Sequence, residues 1–218
     1  MPLTETNSVR PGERALDLAC GTGDITFSLA SEGAGAVGLD LTPRMIELAR
    51  RKGGPMVRPP DIRTFGLSDG REARGGSGEA PTARFLIGDM MALPFDDAAF
   101  DLVTTGYGIR NVPDMRASLC EILRVLKPGG RFLSLDFNRP ANAVVRGAYL
   151  AYLAAVGSAI GWIVHRDADT YRYIPETIRV HPGGAAVAAL LTAVGFEQAA
   201  YEPVFGGFMA MHRAVKGR

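Results

Sequence analysis

The chain has 218 residues, of which 24 are basic and 23 acidic, so its formal charge is +1. This length favours a single domain over residues 1–218. The balanced charge argues against nucleic acid as a partner, because domains that bind phosphate backbones are usually strongly basic. The two cysteines and three histidines show no spacing typical of a metal centre, so we expect no metal.

Strands and helices alternate through the first 137 residues. Short apolar runs predict strands at 14–19, 36–41, 84–89, 100–105 and 131–137. Helical spacing of apolar residues predicts the helices between them, at 25–32, from 42 onwards and at 115–126. Such regular alternation is typical of an α/β fold, in which helices cover both faces of a parallel sheet.

The rest of the chain adds two insertions and a closing element. Residues 53–83 are rich in glycine and proline without periodicity and predict a flexible surface insertion. Residues 139–182 predict a lid, formed by a pair of apolar helices and a polar, aromatic segment. A helix at 184–194 and two runs at 196–203 and 208–215 predict an antiparallel C-terminal hairpin. The complete prediction is a Rossmann-like, doubly wound, mostly parallel sheet of seven strands.

The expected carboxyl ends of successive strands carry glycines and carboxylates. Ligands bind at this edge of an open parallel sheet, where the strand order reverses. Glycines let the backbone approach a ligand closely, and a carboxylate after the next strand accepts the hydroxyl groups of a ribose. The candidate cofactor residues are Asp17, Gly21, Thr22, Gly23, Asp40 and Asp89.

The loop itself distinguishes between two nucleotide cofactors. A dinucleotide-binding loop has a third glycine where this chain has Thr26, and Asp24 would repel a pyrophosphate. A carboxylate such as Asp17 instead suits a positively charged ligand, for example the sulfonium of S-adenosylmethionine. We therefore predict an S-adenosylmethionine site, with a nicotinamide site and a ligand-free structural loop as alternatives.

The motifs at these strand ends resemble those of class I S-adenosylmethionine-dependent methyltransferases. They are Leu16-Asp-Leu-Ala-Cys-Gly-Thr-Gly-Asp24, Gly38-Leu-Asp40, Leu93-Pro-Phe95 with Phe100-Asp101, and Leu126-Lys-Pro-Gly-Gly130. Three other segments are similar to the C-methyltransferases of ubiquinone and menaquinone biosynthesis, including the demethylmenaquinone methyltransferases. They are Gly108-Ile-Arg-Asn111, Tyr171-Arg-Tyr-Ile-Pro-Glu-Thr-Ile178 and Gly206-Gly-Phe-Met-Ala-Met-His212.

This resemblance implies where the cofactor lies. Its surroundings are Thr22, Asp40, Asp89, Met90 and Gly106, with the Asp89-Met90 pair along the adenine. Relative to the family, the N-terminus is short, with 13 residues before the first predicted strand. An aromatic helix in this region helps to cover the active site in the family. Either the start of this chain is truncated or mis-assigned, or the protein is a minimal variant with a more open pocket.

The resemblance also implies C-methylation of a polyprenylated quinol. Deprotonating a ring hydroxyl makes the ring carbon a better nucleophile, so the pocket needs a group that stabilises the phenolate and a base. We assign the first role to Arg110, oriented by Asn111, and place Tyr173 and His181 on the far wall, with His181 as reserve base. The alternatives are that Arg110 only holds its loop and that the wall residues form a polar network.

Two other functions remain open on the sequence alone. The fold also suits methylation of another small molecule, or cofactor binding without turnover.

The uncharged stretch Gly147 to Val164 has 18 residues, the length of a membrane span, but a span there would split the sheet. We expect its apolar face to contact the isoprenoid tail or the membrane surface, with core packing or a dimer contact as alternatives. We expect a cytoplasmic enzyme with a lipophilic quinol substrate. The enzyme is expected either to contact the inner face of the membrane or to form a homo-oligomer.

Overall fold

The structure is a computed structural model that describes residues 9–53, 83–140, 142–167, 169 and 171–218. The predicted insertion at 53–83 lies outside these residues except for its two ends, so it stays a prediction. The strands are β1 (Arg14–Leu18), β2 (Gly35–Asp40), β3 (Arg84–Ile87), β4 (Phe100–Gly106), β5 (Leu126–Phe137), β6 (Phe196–Val204) and β7 (Met209–Lys216).

The seven strands form one sheet in the order β3-β2-β1-β4-β5-β7-β6. Neighbouring strands from β3 to β5 pair in parallel, whereas β7 pairs antiparallel with both β5 and β6. The fold therefore confirms the predicted doubly wound sheet and its antiparallel C-terminal hairpin. β1 and β4 are buried along most of their length, as expected for central strands covered on both faces.

Helices connect the strands. They are α1 (Asp24–Ser31), α2 (Pro43–Arg51), α3 (Met115–Val125), α4 (Ala143–His165), α5 (Tyr173–Val180) and α6 (Gly184–Val194). The helix starts follow familiar rules: Pro43 is the first residue of α2, and the Asp114 side chain caps α3 by accepting a hydrogen bond from the Ala117 amide.

The apolar part of the predicted lid differs from expectation. A pair of helices was expected before residue 165, but α4 is one continuous helix of 23 residues. Its three glycines do not interrupt it, because a glycine inside a helix costs only about 1 kcal/mol relative to alanine. No proline interrupts the stretch, so the helix continues.

α4 does not cross a membrane alone, although Ala143–Ile163 is long and apolar enough to do so. β5 precedes it, α6 follows it and packs against β6 and β7, and these strands share one sheet with β5. Both ends of α4 must therefore lie on the same side of any bilayer. α5 packs against α4 and against the short turn that follows β4, which places this region beside the carboxyl end of β4.

Candidate active site

The strand order reverses between β1 and β4, because the chain proceeds outwards from β1 to β3 and then restarts at β4. The carboxyl ends of β1, β2 and β4 consequently border one crevice, the usual ligand site of a doubly wound sheet. The ends of these strands and the loops that follow them carry most of the residues predicted to hold the cofactor.

Two glycines of the loop after β1 have left-handed backbones but different surroundings. At Gly23 (φ 86°), a Cβ atom would lie 2.6 Å from the ring of Phe85, so packing alone requires glycine. At Gly21 (φ 55°), no atom of the described residues lies within 4 Å of the Cβ position. The Gly21 backbone therefore borders open space, which fits the close approach of a cofactor such as S-adenosylmethionine.

The Asp40 carboxylate joins the loops after β1 and β2. Its Oδ2 accepts a hydrogen bond from the Gly21 amide at 2.9 Å, and its Oδ1 accepts one from the Thr42 amide at 2.8 Å. Each oxygen has a second lone pair and can still accept a ribose hydroxyl. The Asp40 carbonyl also accepts a hydrogen bond from the Gly88 amide at 3.0 Å, which fixes the turn that leads to Asp89.

The other predicted cofactor residues surround this centre in different environments. The Thr22 hydroxyl donates to Asp24 at 3.0 Å, and Asp89 accepts a hydrogen bond at 2.8 Å from the amide two residues further on. Met90 is buried in the main core, and Gly106 is the last residue of β4. Their contacts with the cofactor stay predictions.

Asp17 occupies a different place from the one predicted. It has no exposed surface, and it accepts hydrogen bonds from the hydroxyls of Thr26 at 2.7 Å and Thr104 at 3.1 Å. Burial raises its pKa to about 7, against the opposing effect of these bonds. A carboxyl enclosed in this way does not touch a sulfonium, so we correct its role: Asp17 ties β1 to α1 and β4 beneath the cofactor loop.

Arg110 forms a buried ion pair with Asp136, near the end of β5. Its side chain is 2% exposed, and its guanidinium also donates to the Tyr107 carbonyl at 3.1 Å and to the Thr177 hydroxyl at 3.3 Å. Burial raises the pKa of Asp136, while Arg110 opposes that rise. The predicted direct contact with a phenolate is therefore corrected: the buried Arg110 side chain joins the turn after β4 to β5 and α5.

The remaining predicted catalytic residues do not form one cluster. Asn111 is exposed and donates to the Tyr107 carbonyl at 2.9 Å, and Tyr173 is about half exposed at the start of α5. His181 is buried, and its Nδ1 accepts a hydrogen bond from the Gly183 amide. Burial, aided by two nearby arginines, lowers the pKa of His181 to about 4. An enclosed base this weak does not suit proton abstraction, so the reserve-base role is also corrected.

Sequence reasoning missed two residues of this region. Asp136 carries the signal used for the other strands, a carboxylate near a carboxyl end, and was overlooked. Tyr107 directly follows β4, has a left-handed backbone (φ 61°) and is 43% exposed. Its ring contacts that of Phe137, with 5.2 Å between the centroids. Because Arg110 holds its carbonyl, Tyr107 is an ordered aromatic side chain that remains accessible beside the crevice.

Curated relatives match this chain over nearly its full length. The ubiquinone/menaquinone biosynthesis C-methyltransferase UbiE of Azotobacter vinelandii is 37% identical over 97% of this chain and 77% of its own length. The enzyme of the same name from Ectopseudomonas mendocina is 38% identical over 97% of this chain and 76% of its own length.

Solved structures share the fold at lower identity. A SAM-dependent methyltransferase from Methanosarcina mazei has a TM-score of 0.62 and 20% identity, covering 100% of this chain and 98% of that one. Phosphoethanolamine N-methyltransferase 2 of Haemonchus contortus, solved with S-adenosyl-L-methionine, has a TM-score of 0.63 and 15% identity, covering 97% of this chain and 50% of that one.

The sequence profile of the ubiE/COQ5 methyltransferase family matches residues 3–216. This match spans the whole sheet, including the loops that carry Gly21 and Asp40. The chain is an S-adenosylmethionine-dependent methyltransferase and belongs to the ubiE/COQ5 methyltransferase family.

Proposed function

We propose that the enzyme methylates a ring carbon of a polyprenylated quinol precursor of menaquinone or ubiquinone. The names of its relatives support this reaction. The structural observation that carries the proposal is the position of Gly108, the first residue of a segment that resembles the quinone enzymes. A Cβ atom on Gly108 would lie 2.7 Å from the Cβ of Ala19 in the loop after β1. This turn therefore packs directly against the cofactor loop. A substrate ring that accepts the methyl group has to lie beside that loop, and so beside this turn.

The chain's own contribution is mainly to orient the two reactants. S-adenosylmethionine, when bound, supplies a methyl group on a positively charged sulfur. Because in-line displacement gains most from positioning in a water-poor site, we assign contact with the substrate ring to Tyr107. Arg110 and Asn111 hold its carbonyl, and Tyr173 offers a second accessible aromatic side chain. The residues proposed to hold the cofactor are Gly21, Thr22, Gly23, Asp40, Asp89, Met90 and Gly106.

The Gly21→Ala variant should bind S-adenosylmethionine at least about tenfold more weakly, because its methyl group occupies the space open to the cofactor. Gly129→Ala is the matched control, since Gly129 also has a left-handed backbone (φ 77°) and no described atom within 4 Å of its Cβ position. Both variants should lose about 1 kcal/mol of stability from backbone strain. Isothermal titration calorimetry gives the affinities, and equal affinity in the two variants would place the cofactor elsewhere.

The exposed surface of α4 supports a peripheral membrane contact. Its large exposed apolar residues are Val144, Val145, Tyr152, Ile160, Trp162 and Ile163. No acidic residue occurs between 143 and 165, and arginines stand at 139, 146 and 166. An apolar helix with an aromatic ring and flanking cations complements an anionic lipid surface. We propose that α4 lies in the inner face of the membrane, from which the lipophilic quinol enters, with the rest of the enzyme in the cytoplasm.

Trp162 reports directly on this contact, since it is the one tryptophan of the chain and is 58% exposed. Anionic vesicles should shift its emission to shorter wavelengths, and Ile163→Glu should weaken vesicle binding about tenfold by removing buried apolar surface. Leu41→Glu is the control, because Leu41 is as exposed as Ile163 but follows β2. If vesicles leave the emission unchanged and Ile163→Glu instead abolishes a dimer in sedimentation, α4 is a contact between subunits.

A further inference from the structure

A second cavity, of about 250 Å³, opens between the end of β5, the start of α4 and the start of α6. None of the residues proposed to hold the cofactor lines it. Its lining includes Asn138, Arg139, Arg146, Gly184 and Tyr201. It is therefore separate from the site that the methyl transfer uses.

The wall of this cavity is positively charged. Arg139 and Arg146 both line it, and none of the residues that the structure describes along the wall is acidic. An anion in the cavity would offset the charge of these two guanidinium groups, so the arrangement points to an anionic ligand.

The backbone on the opposite wall adds to this preference. α6 has 11 residues, and its first turn contains no acidic side chain to offset the positive end of the helix dipole. Asn138 fixes that end by accepting a hydrogen bond from the Gly184 amide at 2.9 Å. The ring of Tyr201 lies only 2.7 Å from the Cβ position of Gly184 and closes this side. The cavity thus combines two guanidinium groups with a fixed helix N-terminus.

We infer that this cavity binds a phosphate group. Guanidinium groups match the geometry of phosphate oxygens with two parallel hydrogen bonds, and the volume suits a phosphate ester. Arg146 belongs to the first turn of α4, so a ligand here lies at the base of the exposed apolar helix. An anionic phospholipid headgroup is therefore the source we assign, a step that rests on the proposed membrane contact. The phosphate site itself does not depend on it.

Calorimetric titration of the full chain with inorganic phosphate tests the site. The unsubstituted protein should show saturable binding, and Arg139→Gln should weaken it about tenfold or more. Arg146→Gln should do the same, which guards against a folding defect in either variant alone. Arg166→Gln is the matched control, because Arg166 caps the other end of α4. The Arg166→Gln variant should bind phosphate like the unsubstituted protein. No saturable binding at about 10 mM phosphate, or equal weakening in all three variants, would overturn the proposal.

Vesicles distinguish the source of the phosphate. Phosphatidylglycerol vesicles should compete with inorganic phosphate for the cavity, whereas phosphatidylcholine vesicles should not. If phosphatidylglycerol vesicles bind without displacing phosphate, the lipid source is wrong and a soluble phosphate ester is the ligand. Methyl transfer to a short-chain, water-soluble quinol is measured separately, so a failed phosphate site and a failed quinol reaction give different results.

Discussion

The Asp17→Asn variant should become more stable than the unsubstituted protein as the pH rises. The difference between their free energies of unfolding should grow by about 4 kcal/mol from about pH 4 to about pH 8. Asp17 has a pKa of about 7 in the folded protein against an ordinary value of 3.8. Between these values the folded state keeps a proton that the unfolded state has lost. The unsubstituted protein therefore loses stability as the pH rises through this window, and asparagine, which does not ionise, removes the loss.

For His181→Gln, the free energy of unfolding relative to the unsubstituted protein should instead fall as the pH rises through nearly the same range. The pKa of His181 is about 4 in the folded protein against an ordinary value of 6.5, so below 6.5 the unfolded state binds a proton that the folded state excludes. This group adds about 3 kcal/mol of stability as the pH rises through the window. The two contributions nearly cancel in the unsubstituted protein. Urea unfolding at several pH values measures both differences, and a pH-independent difference for either variant contradicts its assignment.

The second large effect concerns the ion pair between Arg110 and Asp136. Arg110→Leu should destabilise the protein by about 3–5 kcal/mol, because it leaves a buried carboxyl without its cation. The Arg110→Leu/Asp136→Leu double variant should recover part of that loss, since no unpaired charge remains buried. Arg44→Leu is the control: Arg44 pairs with Glu47 on the surface, and such pairs contribute only about 0–1 kcal/mol.

Kinetics separate a positioning role of Arg110 from a purely structural one. Arg110→Lys keeps the charge but loses the planar fork, in which Nη1 donates to Asp136 and to the Tyr107 carbonyl while Nε donates to the Thr177 hydroxyl. Its stability should fall less than that of Arg110→Leu, while kcat falls and the affinity for S-adenosylmethionine changes little. If kcat of the folded Arg110→Lys enzyme equals that of the unsubstituted enzyme, Arg110 does not position the substrate side of the crevice.

The sheet follows from local sequence, whereas the roles of its charged residues do not. The apolar runs locate β1 to β5 because central parallel strands are apolar on both faces. The Lys127-Pro-Gly-Gly130 segment shows the limit: the fifth strand was predicted to begin at 131, yet β5 begins at Leu126 and includes this segment. Gly129 then takes its left-handed backbone within the pairing irregularity next to β4.

The candidate site was predictable where a role depends on the backbone and unpredictable where it depends on distant partners. Asp40 ends its strand, as predicted, and accepts hydrogen bonds from the loops after β1 and β2, while its contact with a ribose stays a prediction. Asp17 lies one residue inside its strand, where only the threonines contributed by α1 and β4 show that it faces the interior. Arg110 looked like a free cation because Asp136 lies 26 residues further along the chain.

The most direct test of the account is methyl transfer to a reduced quinol. The purified enzyme is given S-adenosylmethionine labelled in its methyl group and demethylmenaquinol with a short isoprenoid chain, and the product is analysed by mass spectrometry. We expect one labelled methyl group on a ring carbon in place of a ring hydrogen, with the Gly21→Ala variant forming far less product. Binding of S-adenosylmethionine without any ring-methylated quinol, or methylation on oxygen, would contradict the account.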